Sequence, residues 1–249
     1  MQDFSNPAKR VLNFILEVHN KPDNISAAEV WANAFGLDAT KAKSDAHEVN
    51  QKLSLLRHEL DIVEQQMQQT KFSENLYRPY IQSLRHAITP NSITTAWKSY
   101  KVYFKPETIL TIKYCAEILE PQSSANFEEL QKLLSDLYAF KETLDSSVID
   151  GNTFQFIVSQ IEIIENAIKS YPITGSGAIK KAFTEGFSDL NAKAENISET
   201  AETKKVGKFW EDLGTASDKI IATDRVANAL INVFNKGNSL AENIGNLLT

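Results

Sequence analysis

The chain has 249 residues, of which 42% are hydrophobic and 23% are charged, as in an ordinary soluble globular protein. The formal net charge of −6 excludes an electrostatic attraction of the whole protein to nucleic acid. Nine glycines and seven prolines are few turn-forming residues for this length, which favours long helices over many short strands.

The cysteine content and the hydropathy pattern bear on the compartment. Cys115 is the single cysteine, which excludes an intramolecular disulfide and fits a reducing environment. Since it lies in an apolar run, we interpret it as a small buried hydrophobe rather than a nucleophile. No uncharged run approaches the roughly 18 residues that a membrane span needs, and charges interrupt the first 20 residues. We therefore expect a cytoplasmic protein.

The N-terminal segment predicts two short helices. Asn6 is suited to cap the first helix, with Pro7 at its first position. Ser26 and Glu29 have the spacing of a capping box, which opens the second helix. Gly36 is suited to end that helix in a left-handed conformation.

A long helix follows, over about residues 40–69, with Asp38 or Thr40 as its cap. Its apolar residues follow each other at steps of four and three, the pattern of a heptad seam along one helix face. These residues are Ala42, Ala46, Val49, Leu53, Leu56, Leu60, Val63 and Met67. We predict that this seam organises the fold.

The charges beside the seam limit its partner. A parallel homodimer would place Lys52 against Arg57 and Glu59 against Glu64, and both contacts are repulsive. This disfavours a parallel coiled-coil dimer. We therefore expect an antiparallel partner, most simply another helix of the same chain.

Three further helices are predicted in the middle of the chain. The first covers Ser73–Ile88 and is bent or restarted at Pro79. The second covers Ser92–Phe104. The third begins at Pro106 and ends near Glu120, and since it is apolar on most sides we expect it to be the most buried helix.

Two more seams predict an αα-hairpin, with helices near 127–145 and 153–171 joined by a turn at 150–152. Their apolar residues are Phe127, Leu130, Leu134, Leu137 and Leu144 in one helix, and Phe154, Ile157, Ile161, Ile164, Ile168 and Tyr171 in the other. We predict that this hairpin packs on the seam of residues 42–67.

The whole pattern predicts an all-α protein with three parts. Residues 1–190 form a helical core bundle. Residues 191–205 contain one large apolar side chain and are interpreted as a polar linker or a solvated helix. Residues 206–249 have the pattern of two or three amphipathic helices, which we predict form a C-terminal arm.

No catalytic motif stands out, which favours a protein that is not an enzyme without deciding the question. The sequence has no zincin, Walker, kinase, Gly-x-Ser-x-Gly or Cys-x-x-Cys pattern. His47 and His58 lie outside the long seam and are interpreted as surface residues. We predict no cofactor and no metal site, although catalytic residues can converge without a motif.

Residues 71–113, the basic-aromatic segment, carry a net charge of +5. Interleaved cations and aromatics suit a polyanion or a nucleotide, or else the aromatics are core and the cations a solvated rim. A third possibility is that the segment faces the acidic residues 121–203. The candidate surface consists of Arg78, Arg85, Trp97, Lys98, Tyr100, Lys101 and Lys105.

The leading functional hypothesis is a non-catalytic interaction, adaptor or regulatory subunit that binds another protein or itself through the C-terminal helices. The candidate assembly surface consists of Phe209, Trp210, Leu213, Leu230 and Phe234. The alternative is a membrane-active protein that releases these helices onto a bilayer. On either hypothesis, deletion of 206–249 is expected to leave a folded core. Polyanion binding through residues 71–113 is the third hypothesis.

Overall fold

Helices account for 73% of the described residues in a computed structural model, and the predicted all-α class is confirmed. The structure describes residues 3–89, 93 and 95–235, and within these it contains thirteen α-helices and no strand. The described residues form two compact units. Unit 1 extends through residue 122 and includes residues 172–175, and unit 2 comprises residues 123–171 and 176–235.

In unit 1 the first helix packs against two later helices of the same unit. Its helices are α1 (Pro7–Val18), α2 (Ala27–Ala34), α3 (Ala39–Ser44), α4 (His47–Met67), α5 (Arg78–Ala87), α6 (Lys98–Lys101) and α7 (Pro106–Ile118). α1 packs against both α4 and α7. The core of the unit therefore lies along α1, and a short 3-10 helix, Glu74–Leu76, precedes α5.

The predicted caps of the first two helices are present. The Asn6 side chain accepts a hydrogen bond from the Lys9 amide at 2.9 Å. The same side chain donates to the carbonyls of Ala116 and Leu119, so the cap also fixes the end of α7. Ser26 and Glu29 form the capping box at the start of α2. Local sequence thus sets where both helices begin.

The predicted helix over 40–69 is two helices, α3 and α4, which is a correction. The chain is extended at Asp45, where φ is −137° and ψ is 101°. The Asp45 carboxylate accepts from the His47 amide at 3.0 Å and so satisfies an unpaired N–H at the start of α4. An aspartate that bonds to its own backbone competes with the helix and here ends it.

The seam of α4 is buried within unit 1. Val49, Leu53, Leu56, Leu60, Val63 and Met67 are all in its core. Within unit 1 the seam is covered by α1, α2 and α5. Burial of such side chains stabilises a fold by roughly 1.5–3 kcal/mol each.

The predicted helix over Ser92–Phe104 is also corrected. Of its described part only Lys98–Lys101 is α-helical. The carbonyls of Ile93 and Thr95 accept from the amides at the start of α2, at 2.7 and 2.9 Å. This backbone pairing satisfies N–H groups that the first turn of a helix leaves unpaired, at the expense of helix in the partner segment.

The helix α7 is not the most buried helix, contrary to the prediction. Its inward face consists mainly of small or β-branched side chains, Thr108, Thr111, Ile112, Cys115 and Ala116. Small side chains let α1 approach closely, so this face packs and the opposite one stays exposed. Leu110 and Tyr114 lie on the exposed face, and they are 49% and 52% exposed.

Unit 2 contains the predicted C-terminal helices as part of its core. Its helices are α8 (Phe127–Lys141), α9 (Gly151–Thr174, of which residues 172–174 belong to unit 1), α10 (Ser176–Lys193), α11 (Ala201–Ala216), α12 (Asp218–Ile221) and α13 (Arg225–Asn235). α13 packs on α10 and α11, and α11 packs on α8. The described part of the tail is therefore an integral part of the unit. No helix in the described chain is long and apolar enough to cross a bilayer.

The stretch 191–205, predicted as a polar linker or a solvated helix, is largely helical in unit 2. It contains the end of α10, a 3-10 helix at Ala194–Asn196 and the start of α11. Thr200 and Thr203 form a capping box inside this polar stretch, and Thr203 is buried. The Ser198 amide donates to the Thr153 hydroxyl at 2.8 Å. Polar residues at a helix start resemble a linker because the cap itself is polar.

Substitution of Gly186 in α10 tests how tightly unit 2 is packed. A Cβ at Gly186 would overlap the Trp210 ring, whereas one at Gly177 in the same helix would meet nothing within 4 Å. We expect Gly186→Ala to lower the free energy of unfolding by about 1–3 kcal/mol through overpacking. Gly177→Ala is the matched control, expected to raise it by roughly 0.4–1 kcal/mol because alanine restricts the unfolded chain.

Urea unfolding followed by circular dichroism measures both changes. Equal stability of Gly186→Ala and the unchanged protein would contradict the close approach of α10 to Trp210.

Candidate interaction surface

The aromatic residues of the predicted basic-aromatic surface are in the core of unit 1. Trp97 and Tyr100 are buried, and their rings stack with centroids 6.0 Å apart. The Trp97 ring also meets Trp31 edge-on at 5.9 Å and Phe104 at 5.6 Å. A base or another flat ligand therefore cannot stack on Trp97 or Tyr100 unless the core opens.

Three of the five cations of that surface pair with acids of unit 1. Arg85 binds Asp61 and Glu64, both at 2.6 Å. Arg78 lies 3.3 Å from Glu64 and also pairs with Glu74, and Lys101 binds Asp23 at 2.7 Å.

Lys98 and Lys105 are exposed, and neither has a carboxylate partner in the described part of the chain. The structure thus assigns Arg78, Arg85 and Lys101 to contacts within unit 1. Two separate lysines are a small fraction of the cations that a polyanion site needs, because each neutralised phosphate adds to the affinity.

The predicted assembly residues belong to unit 2 and are not an exposed surface. Phe209, Trp210, Leu213 and Leu230 are buried, and Phe234 is half-buried. The Trp210 indole N–H donates to the Gln160 side chain at 2.8 Å, and Gln160 donates to Asp189 at 2.9 Å. Because this buried network and the surrounding core hold the helices, binding through these side chains requires unit 2 to open.

A group of apolar side chains, three exposed and one half-buried, lies instead on unit 1. We call Phe72, Leu76, Leu110 and Tyr114 the apolar patch. Leu76 is 55% exposed, and Leu110 and Tyr114 are about half exposed. The Phe72 and Tyr114 rings lie 6.4 Å apart, and the Thr111 hydroxyl is 3.5 Å from the Leu76 carbonyl. These contacts place the segment 72–76 directly beside α7.

The patch has charged borders. Glu107 and Glu117 lie on the same face of α7 as Leu110 and Tyr114, at steps of three, four and three residues. Both are exposed, and neither has an ion-pair partner within the residues that the structure describes. Lys113 is exposed along one edge. The exposed face of α7 therefore has an apolar centre, Leu110 and Tyr114, with a carboxylate at each end.

The positions of the glutamates in the α7 sequence indicate which face of this helix is exposed. Apolar residues occur on both faces of α7, so periodicity does not say which face packs inward. The face with smaller side chains, including Thr108 and Ala116, packs on α1. The spacing of Glu107, Leu110, Tyr114 and Glu117 is that of a helix stripe, and the two glutamates mark the exposed side.

The buried charges of unit 1 are hydrogen-bonded to each other. Arg10 donates two hydrogen bonds to Glu59, at 2.9 and 2.6 Å, and both residues are almost fully buried. Arg10 also donates to the Phe4 carbonyl and the Gln122 side chain. Burial raises the pKa of Glu59 above its ordinary value, against the opposite effect of Arg10. The buried polar groups of this closed network are thus paired with one another, and a substrate cannot reach them.

Other candidates for chemistry are equally enclosed or small. Burial raises the pKa of the Cys115 thiol to about 12, so the thiol is protonated and unreactive at neutral pH. A depression of about 20 Å³ beside Asp38, Asp45 and Glu48 has room for about one water molecule. No three potential metal-ligating side chains come together in the described chain.

No protein-family model, no curated protein and no solved structure matches this chain.

Proposed function

We propose that this chain is a non-catalytic helical protein that acts by binding another protein through the apolar patch of unit 1. The observation that carries the proposal is the exposure of Leu110 and Tyr114 one turn apart on α7, next to the segment that holds the exposed Leu76. Scattered single apolar residues are normal on a protein surface, whereas a cluster that holds an aromatic ring is typical of a binding site.

The position of the patch on folded helices supports this role. Leu110 and Tyr114 are on α7, whose opposite face packs on α1 and α5. Their side chains are therefore presented from a fixed helix, which lowers the entropy lost on binding. Tyrosine at the centre of an interface often contributes most of the binding energy.

We further propose that the protein acts in the cytoplasm as a subunit of a complex. The single buried Cys115 supports a reducing compartment. The C-terminal helices do not support the original form of the hypothesis, in which they mediate assembly, because their apolar side chains fill unit 2. The bilayer hypothesis relies on the same side chains and has no other support among the described residues.

The double variant Leu110→Gln/Tyr114→Gln tests the proposal. Glutamine keeps helix propensity and removes the apolar surface. We expect partner binding to weaken at least ten-fold, the loss of about 1.4 kcal/mol or more that one good interface residue gives. Stability should change by about 0.5 kcal/mol or less, because both positions are exposed.

The measurement is quantitative mass spectrometry of proteins captured from the native host, followed by calorimetry with the purified partner. Val148→Gln is the matched control, because Val148 is the most exposed large apolar residue of the described chain, at 81%, and lies outside the patch. A partner retained equally by the double variant and the control would contradict the proposed surface.

A further inference from the structure

We infer that the apolar patch takes one amphipathic helix of a different protein, with two apolar residues four positions apart and a Lys or Arg beyond each end of that pair. This inference rests on the proposed function and deepens it, because it specifies the chemistry of the partner. It follows from the arrangement of charge around Leu110 and Tyr114.

The apolar patch is elongated along α7. Glu107, Leu110, Tyr114 and Glu117 form one stripe along α7, about 15 Å long at 1.5 Å per residue. Beside it lies the segment 72–76, at the distances given above between Thr111 and Leu76 and between Tyr114 and Phe72. An apolar ridge beside a second apolar edge fits the exposed face of a helix.

Both ends of this stripe are negatively charged. The carboxylates of Glu107 and Glu117 are exposed, and neither is neutralised by an ion pair within the described residues. Cations at the two ends of a partner helix would meet them across the apolar centre. Complementary charges at the rim set partner choice and orientation. The same carboxylates repel phosphates, which disfavours nucleic acid and anionic lipid.

The charges of Glu107 and Glu117 also disfavour a second copy of this chain as the partner that binds the patch. An antiparallel pair of α7 helices that sets Leu110 against Tyr114 would also set Glu107 against Glu117 of the second copy. A parallel pair would place each of these residues against itself. The contacts between these glutamates are repulsive in both arrangements, so their charges favour a different partner.

The experiment uses two designed helical peptides as probes for the full-length protein. One has the pattern Lys-x-x-Leu-x-x-x-Leu-x-x-Lys in an alanine-rich host, and the other has Glu at both charged positions. Binding is followed by amide chemical shifts in NMR spectra. We expect the lysine peptide to shift the amides of residues 72–76 and 107–117, with weaker binding as salt rises, and the glutamate peptide to bind at least five-fold more weakly.

The charge-swapped variant Glu107→Lys/Glu117→Lys is expected to reverse this preference while it keeps Leu110 and Tyr114. Equal binding of both peptides to the unchanged protein, or a preference that survives the swap, would overturn the inference about charge. A dimer in light scattering that Leu110→Gln/Tyr114→Gln dissociates would overturn it in favour of a second copy.

Capture of the host partner by the variants tests the patch separately from the peptides. If neither peptide binds the patch, but the host partner is still lost in Leu110→Gln/Tyr114→Gln, the surface is correct and the helical cationic partner is not. If that double variant retains the partner, the proposed function itself fails.

Discussion

Truncation after residue 205 is expected to unfold unit 2 and to leave unit 1 folded. The deleted segment supplies a large share of the core of unit 2, so its removal exposes the facing sides of α8 and α10. The buried residues that are lost are Val206, Phe209, Trp210, Leu213, Ala216, Ile220, Ile221, Ala227, Leu230 and Val233. Each large one contributes roughly 1.5–3 kcal/mol, and their sum exceeds the stability of a typical domain.

The two units have separate probes for this experiment. Cys115, the only cysteine, is buried in unit 1, so its protection from a thiol reagent reports the folding of that unit. Circular dichroism and amide spectra report the loss of the helices of unit 2. A chain that ends at residue 235 is the control, since it retains every tail residue described in the structure.

A point variant separates truncation from loss of the core. Trp210→Ala in the full chain removes a buried ring and its hydrogen bond to Gln160, at an expected cost of about 3–5 kcal/mol. A truncated chain that keeps all its helices and a cooperative transition for unit 2 would show that the tail is dispensable, as the sequence had suggested.

Breaking the buried pair of Arg10 and Glu59 is expected to destabilise unit 1 by about 3–5 kcal/mol, because it leaves one charge buried without its partner. Arg10→Met and Glu59→Leu each do this. The double variant Arg10→Met/Glu59→Leu should recover much of the loss, since two apolar side chains of similar size need no ion pair.

Lys9→Met is the matched control on the same helix. Lys9 binds Asp3 at 2.8 Å, but that pair is partly exposed to solvent, so its loss should change the free energy of unfolding by about 1 kcal/mol or less. Chemical unfolding of the five proteins provides the comparison. If Arg10→Met cost no more than Lys9→Met, the buried network would not stabilise the unit.

The sign of the pH dependence follows from burial. Glu59 already has a raised pKa, and Arg10→Met removes the group that opposes the rise. A carboxyl whose folded pKa lies above its unfolded value loses stabilisation as pH rises through the folded pKa. The destabilisation of Arg10→Met should therefore be larger at pH 8 than at pH 5, and unfolding curves at both values measure it.

Gly175 shows a further constraint that the network imposes. It has a left-handed φ of +55°, and a Cβ there would lie 2.7 Å from the Arg10 guanidinium. The turn therefore needs glycine for its conformation and for space. In the sequence this residue is only one glycine of a Gly-Ser-Gly loop, because the arginine that lies against it is distant in the chain.

The sequence by itself determined the helical class and many helix starts. Asn6, Ser26 and Asn126 cap their helices through bonds that span two or three residues, so the local sequence contains the whole interaction. Pro79 likewise restarts a helix through its own ring, at the first turn of α5. The heptad spacing of α4 correctly selected its buried apolar side chains, since one helix face must be covered.

Only the tertiary structure decided which apolar face meets which partner. Leu110 and Trp97 are both apolar in sequence, yet one is exposed and the other is core. The outcome depends on the close approach of α1 to small residues of α7 and on backbone pairing around Thr95, neither of which is local. The tail is core rather than arm for the same reason: burial is a property of the surfaces that meet, and periodicity describes only one of them.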